Sequence, residues 1–343
     1  MKERNTIQRI VDKDSSKKEA SLPSTSYREQ QVAIFMREVD IDSQIYKFNQ
    51  SIVETVLERY TSDSIACYKR IAKDWFEHST KMFSSLLRIE SMQKTYDVEV
   101  DRNVEYGSVS NSTKRVFVVI GQEYIARIIK QILLYSNISE FTSNYTPTIT
   151  YCDAENKEIK LKDPQAPKLI LANASYMLLH ETTHIAQNLM ENYSDIMLND
   201  TLSYRAREFI MMEEAMANFV GVSLNKISRQ SIISRVRDYE PINAISNIDQ
   251  HGLRKARFIG YLIGLMAGDY AINYMQNKEI FSLIHFYLNM LSKSEPSIIL
   301  DDLVSYANRN KKLLINLNEW GSMINHIEML RKKNLAFNLH ISS

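Results

Sequence analysis

The sequence predicts a mainly helical α+β fold. Through most of the chain, apolar residues recur at three- and four-residue spacing, as they do on the buried face of a helix. In the middle section, short runs of β-branched and aromatic residues instead indicate strands. The chain has 343 residues, of which 44% are hydrophobic and 24% are charged, so it is long enough for a large core and two structural units.

Composition also limits the classes of function. A net charge of +1 gives no reason to expect a nucleic acid partner. Cys67 and Cys152 are too few for a disulfide scaffold, which favours a reducing compartment. The longest nearly unbroken apolar run, Phe258 to Gly268, is too short to span a bilayer, and residues 1–20 lack the apolar core of a secretory signal. We therefore expect a cytoplasmic protein without a membrane span.

The N-terminal third is predicted to be a tail followed by helices. Residues 1–26 are polar and rich in Lys, Ser and Asp, which is typical of a disordered segment. Residues 27–110 are predicted to form an N-terminal helical region of two or three long helices. The positions that show helical spacing in this region are Ile45, Phe48, Ile52, Val56, Tyr60, Trp75, Met82, Leu86 and Ile89.

The middle section is predicted to contain a small sheet. The run Lys114 to Gly121 has the composition of a strand, and a helix from Glu123 to Tyr135 follows it. A hairpin with strands at Thr148 to Tyr151 and Glu158 to Leu161 is predicted next.

A metal-binding helix is predicted between Leu169 and Met190, with Asn173 as a possible cap. It contains the motif His180-Glu181-Thr182-Thr183-His184. Because residues four apart lie on one face of a helix, both imidazoles can reach the same ion, whereas Glu181 projects roughly 100° away. Zinc fits such a site because it accepts neutral imidazole nitrogens.

A second helix, from Tyr204 to Lys226, offers a third ligand. Its acidic residues are Glu208, Glu213 and Glu214. Glu214 is favoured because it begins the pattern E-x-x-A-N, in which small residues permit close approach to the first helix. Asn218 ends this pattern, one turn later, and is placed to hydrogen-bond a ligating histidine. Glu213 and Glu208 remain alternatives.

The two motifs together resemble the gluzincin branch of zinc metallopeptidases. The second motif is most similar to the CAAX-processing and heat-shock membrane metallopeptidases and to the regulatory metallopeptidases of the IrrE/ImmA type. The resemblance covers about Ile170 to Lys226, and it implies Zn²⁺ bound by His180, His184 and Glu214, with Glu181 as general base. It also implies a zincin-like core in which the edge strand of a small sheet lines the substrate cleft.

Residues 111–276 are therefore predicted to form the zincin-like core. The connection from Glu191 to Ser203 is interpreted as a surface loop or a lid. A helix from Leu253 to Met275 carries glycines that permit tight helix contact. Peptide hydrolysis forms an oxyanion when hydroxide attacks the scissile carbonyl, and a distal side chain often stabilises it in gluzincins. The candidates for this role are His251, Arg254, Arg257 and Tyr261. Residues 277–343 are predicted to form a C-terminal helical region.

The function expected from these patterns is that of a zinc-dependent intracellular endopeptidase. Its partner would be a protein or peptide substrate. A protease core between large helical flanks resembles a dedicated regulatory or defence protease, similar to the phage-exclusion metallopeptidases. The alternatives are a non-catalytic, zincin-fold binding protein and a structural helical protein in which the motif is coincidental. The sequence leaves the substrate and the oligomeric state open.

Overall fold

The structure is a computed structural model. It describes residues 43–87, 96–104, 107–112, 115–136, 150–152, 158–160, 166–189, 204–227, 229, 232–233, 253–292, 296–311 and 317–341. Three predictions lie outside these residues: the tail at 1–26, the connection at 191–203, and any role of His251.

Helices dominate the described residues, and a small sheet accompanies them, so the prediction of a mainly helical α+β fold is confirmed. The helices are α1 (Ser43–Arg59), α2 (Ile65–Leu87), α3 (Gln122–Ser136), α4 (Ala166–Leu189), α5 (Tyr204–Asn225), α6 (Leu253–Tyr274), α7 (Asn277–Ser292), α8 (Pro296–Arg309) and α9 (Leu317–Ile341). The strands are β1 (Tyr96–Asp101), β2 (Gly107–Ser112), β3 (Arg115–Gly121), β4 (Thr150–Cys152) and β5 (Glu158–Lys160).

The sheet beside the motif helix has the strand order β1-β3-β2, with β1 parallel and β2 antiparallel to β3. β3 was predicted, but β1 and β2 were not. β1 reads YDVEVD, in which charged residues outnumber valines, and β2 reads GSVSNS, which is poor in the β-branched and aromatic residues that favour strands. The predicted boundary between residues 110 and 111 falls inside β2, so the sheet begins earlier than expected.

The predicted hairpin is also present. β4 and β5 pair antiparallel, with Tyr151 opposite Ile159, and they form a separate two-stranded sheet. Both β2 and β3 pack against α4, and Gly107 of β2 lies against Glu181 of the motif. The edge strand nearest the motif from His180 to His184, called HExxH below, is therefore β2, although its sequence only weakly indicates a strand.

The motif helix α4 is longer than predicted and begins at Ala166. Asn173 lies inside it and does not cap it, so that prediction is wrong. Pro167 is tolerated because it falls in the first turn, where a backbone N–H has no partner within the helix. The N-terminal helices support α4: Ser79 of α2 and Thr182 form a buried hydrogen bond of 2.7 Å between their hydroxyl oxygens.

The second motif helix, α5, packs closely against α6. A Cβ atom at Gly260 would lie 2.2 Å from the carbonyl oxygen of Met211, and one at Gly264 would lie 2.3 Å from that of Ala215. Only glycine permits this contact, so the expectation of tight helix packing is confirmed. Within the described ranges, none of the helices is both long and apolar enough to cross a membrane.

The buried side chains form one continuous cluster that runs from α1 to α9. In the N-terminal part, the indole N–H of Trp75 donates a buried hydrogen bond of 3.0 Å to the carbonyl of Ile52. At the other end, Arg331 of α9 pairs with Glu208 of α5 at 2.9 Å. The C-terminal flank is thus tied to α5 through Arg331, as α2 is tied to α4 through Ser79.

Candidate metal centre

Three potential ligand atoms meet where α4 faces α5. The Nε2 atoms of His180 and His184 are 3.1 Å apart, and Glu214 Oε2 lies 3.7 Å from the first and 3.8 Å from the second. Metal–ligand bonds of about 2.0–2.1 Å in a tetrahedral zinc site imply ligand atoms about 3.3 Å apart. The observed distances lie on both sides of this value, so the three side chains fit a zinc ion with small adjustments.

The arrangement favours Glu214 over the two alternative acidic residues. Among the described residues, His180, His184 and Glu214 are the one group of at least three His, Cys, Asp or Glu side chains that could hold a metal ion. Glu208 instead forms an ion pair with Arg331, and Glu213 is buried on another side of α5. The E-x-x-A-N pattern therefore pointed to the glutamate that lies beside the imidazoles.

His184 is oriented by a residue that the sequence reasoning missed. Its Nδ1 atom lies 2.8 Å from Gln187 Oε1, and Gln187 Nε2 donates to the backbone carbonyl of Glu213 at 3.2 Å. Both His184 and Gln187 are buried, so bulk water does not compete for these hydrogen bonds. The spacing of three residues between His184 and Gln187 on a helix was a usable sequence signal.

Asn218 was expected to hold a ligating histidine, but its described hydrogen bonds go elsewhere. Its Oδ1 accepts a hydrogen bond from the Tyr176 hydroxyl, and its Nδ2 donates to the carbonyl of Glu214 at 2.8 Å. Tyr176 lies one turn before His180, and their ring centroids are 6.0 Å apart. Asn218 therefore links α4 to α5, and the hydrogen-bond partner of His184 Nδ1 is Gln187 Oε1.

Glu181 is a buried carboxyl group next to the three ligand atoms, with 5% of its surface exposed. Burial, and secondarily the negative charge of Glu214, raise its pKa from 4.5 to about 8. Its Oε1 faces Gly107 of β2, where a Cβ atom would lie only 2.9 Å away. Its Oε2 is buried and has no hydrogen-bond partner among the described residues.

Two residues of α6 contact side chains of the site. Arg257 Nε lies 3.9 Å from Glu214 Oε1, and its side chain is 68% exposed. The Tyr261 hydroxyl lies 3.3 Å from that of Tyr176. Arg254, a further residue considered for the oxyanion, is exposed at the start of the same helix. Two of the four residues considered, Arg257 and Tyr261, are therefore in contact with groups of this site.

Comparison with protein-family models, with curated proteins and with solved structures finds no match to this chain.

Proposed function

We propose that this protein is a zinc-dependent intracellular endopeptidase whose metal is held by His180, His184 and Glu214. The observation that carries the proposal is the convergence of these three ligand atoms beside Glu181, a buried carboxyl group whose Oε2 has no hydrogen-bond partner among the described residues. Cys67, a free buried thiol, suits the reducing interior of a cell.

The donor set supports zinc over harder cations. Two imidazole nitrogens and one carboxylate oxygen are ligands that Zn²⁺ accepts, whereas Mg²⁺ and Ca²⁺ favour sites made entirely of oxygens. Three protein ligands leave a fourth position for water or substrate. A bound zinc ion would polarise the scissile carbonyl and make water a better nucleophile at neutral pH.

Glu181 has the properties of a proton carrier in this reaction. Its carboxylate would accept a proton from the attacking water and then donate it to the leaving amine nitrogen. Its pKa of about 8 is close to neutrality, where both transfers are efficient. A cation held beside Glu214 would offset that residue's negative charge and so lower the pKa of Glu181.

The position of β2 supports a peptide substrate. Within the described residues β2 is an edge strand, and Gly107 lies against Glu181. An extended peptide that paired with this edge would pass close to the carboxylate, with backbone hydrogen bonds providing affinity. The helical flanks around the site are consistent with a dedicated regulatory or defence protease that has few substrates.

The proposal is tested first by metal content. Wild-type protein should contain about one zinc ion per chain, and His184→Ala and Glu214→Ala should lose it. Glu213→Gln is the matched control, because it alters the neighbouring buried residue on α5 and should retain zinc. Wild-type protein that takes up no zinc during purification or titration would refute the proposed site.

Catalysis needs a second experiment. Wild-type protein and Glu181→Gln, both loaded with zinc, would be incubated with a lysate, and new protein N-termini would be mapped by mass spectrometry. We expect cleavage products with the wild type alone. If neither protein produces new termini although both hold zinc, the proposed activity is wrong and the protein binds the metal without cleaving a substrate.

A further inference from the structure

We propose that Gln187 is a positioning residue that fixes the tautomer of His184, so that the Nε2 lone pair points to the metal position. This inference rests on the proposed metal centre, because an imidazole nitrogen binds a metal ion only through a free lone pair.

The backbone carbonyl of Glu213 can only accept hydrogen bonds. Gln187 Nε2 donates to this carbonyl at 3.2 Å, and this contact determines which end of the amide faces which neighbour. The other end, Oε1, then faces His184 Nδ1 at 2.8 Å. Because Oε1 is an acceptor, His184 Nδ1 must carry a hydrogen.

The tautomer of His184 follows from this step. A neutral imidazole has one N–H, so a hydrogen on Nδ1 leaves Nε2 with a lone pair. This Nε2 is one of the three ligand atoms, 3.1 Å from His180 Nε2 and 3.8 Å from Glu214 Oε2. A carbonyl on α5 thereby selects, through Gln187, the metal-binding form of a histidine on α4.

The same pair of hydrogen bonds also fixes the distance between the motif helices. Glu213 immediately precedes Glu214, so the contact with Gln187 is made next to the proposed third ligand. Gln187 has no exposed surface, so bulk water cannot replace it as the hydrogen-bond partner of His184 Nδ1 or of the Glu213 carbonyl. The side chain therefore orients one ligand and restrains the backbone that carries another.

The tautomer can be measured in zinc-free protein, without any activity assay. Histidine labelled with ¹⁵N would be introduced, and the ring resonances of His184 would be assigned by comparison with His184→Ala. Long-range ¹⁵N–¹H correlation spectra, recorded at alkaline pH, distinguish the two neutral tautomers. We expect the Nδ1–H form in wild type and a shift toward the Nε2–H form in Gln187→Met.

Two further variants separate positioning from general packing. In Gln187→Glu, a carboxylate can still accept from Nδ1, but it has no hydrogen for the Glu213 carbonyl. We therefore expect Gln187→Glu to restore the Nδ1–H form. If Gln187 only packed the two helices together, glutamate would disturb the site more than methionine and the Nδ1–H form would not return. Gln131→Met is the matched control, because Gln131 is another buried helical glutamine, 7% exposed, on α3.

Zinc affinity, measured by competition with a chromophoric chelator, gives the second readout. Gln187→Met should weaken binding roughly 10- to 100-fold, and Gln131→Met should leave it unchanged. An Nδ1–H form that persists in Gln187→Met would overturn the role of Gln187, whatever the zinc content. Wild-type protein that binds no zinc would overturn the metal centre itself, whatever the tautomer of His184.

Discussion

Replacing Glu181 by Gln should stabilise the metal-free protein at alkaline pH. Burial and the charge of Glu214 raise the Glu181 pKa from 4.5 to about 8, so the folded chain keeps a proton that the unfolded chain loses between these values. The free energy of unfolding therefore falls as pH rises through this range. Glutamine mimics the neutral carboxyl group and is not subject to this loss.

The size of the effect follows from the same two pKa values. One pKa unit corresponds to about 1.4 kcal/mol. Ionisation of Glu181 in the unfolded chain should lower the free energy of unfolding by about 1 kcal/mol at pH 5 and by about 5 kcal/mol at pH 8.5. The difference between the two pH values is on the order of 4 kcal/mol. Water that enters the site on ionisation would reduce this change, so we treat it as an upper limit.

The assay is urea unfolding of chelator-treated wild type and Glu181→Gln at about pH 5 and about pH 8.5. The other titrating groups are common to both proteins, so they cancel when the two unfolding free energies are subtracted. The amount by which the unfolding free energy of Glu181→Gln exceeds that of wild type should increase with pH. Added zinc should make this increase smaller. An advantage that is the same at both pH values would refute the assignment of a raised pKa to Glu181.

Three further predictions concern the surroundings of the site. Gly107→Ala would place a Cβ atom 2.9 Å from Glu181 Oε1, so we expect zinc to be retained while peptide hydrolysis falls roughly 10- to 100-fold in a turnover assay. Gly264→Ala would force α6 away from the Ala215 carbonyl, and it should cost about 1–3 kcal/mol or more in chemical unfolding. Gly321→Ala is the control for both, because a Cβ atom there has no neighbour within 4 Å; equal effects at Gly321 and Gly264 would contradict the packing argument. Arg331→Met would remove the ion pairs of Arg331 with Glu208 and with Asp301, and it should lower stability by about 1–3 kcal/mol while zinc content stays unchanged, whereas a loss of zinc would reopen Glu208 as a ligand.

Much of the helical structure could be predicted because it depends on local periodicity. The helices that carry the HExxH and E-x-x-A-N motifs occur where the apolar spacing and the absence of breakers indicate them. β3 and the hairpin were also predicted, since their composition differs from that of the helices. β1 and β2 were missed because their residues have weak strand propensity, and pairing with β3 decides their conformation.

The sequence by itself determined which side chains could share a metal ion on one helix, because i and i+4 spacing places His180 and His184 on the same face. It also indicated Glu214, through the small residues that follow it. Only the tertiary structure decided that Glu214, and not Glu213 one residue earlier, faces the imidazoles. Adjacent helical residues point roughly 100° apart, so this choice depends on how α5 docks against α4. The contact of Gly107 with Glu181 joins residues that are far apart in the sequence, and only long-range packing brings them together.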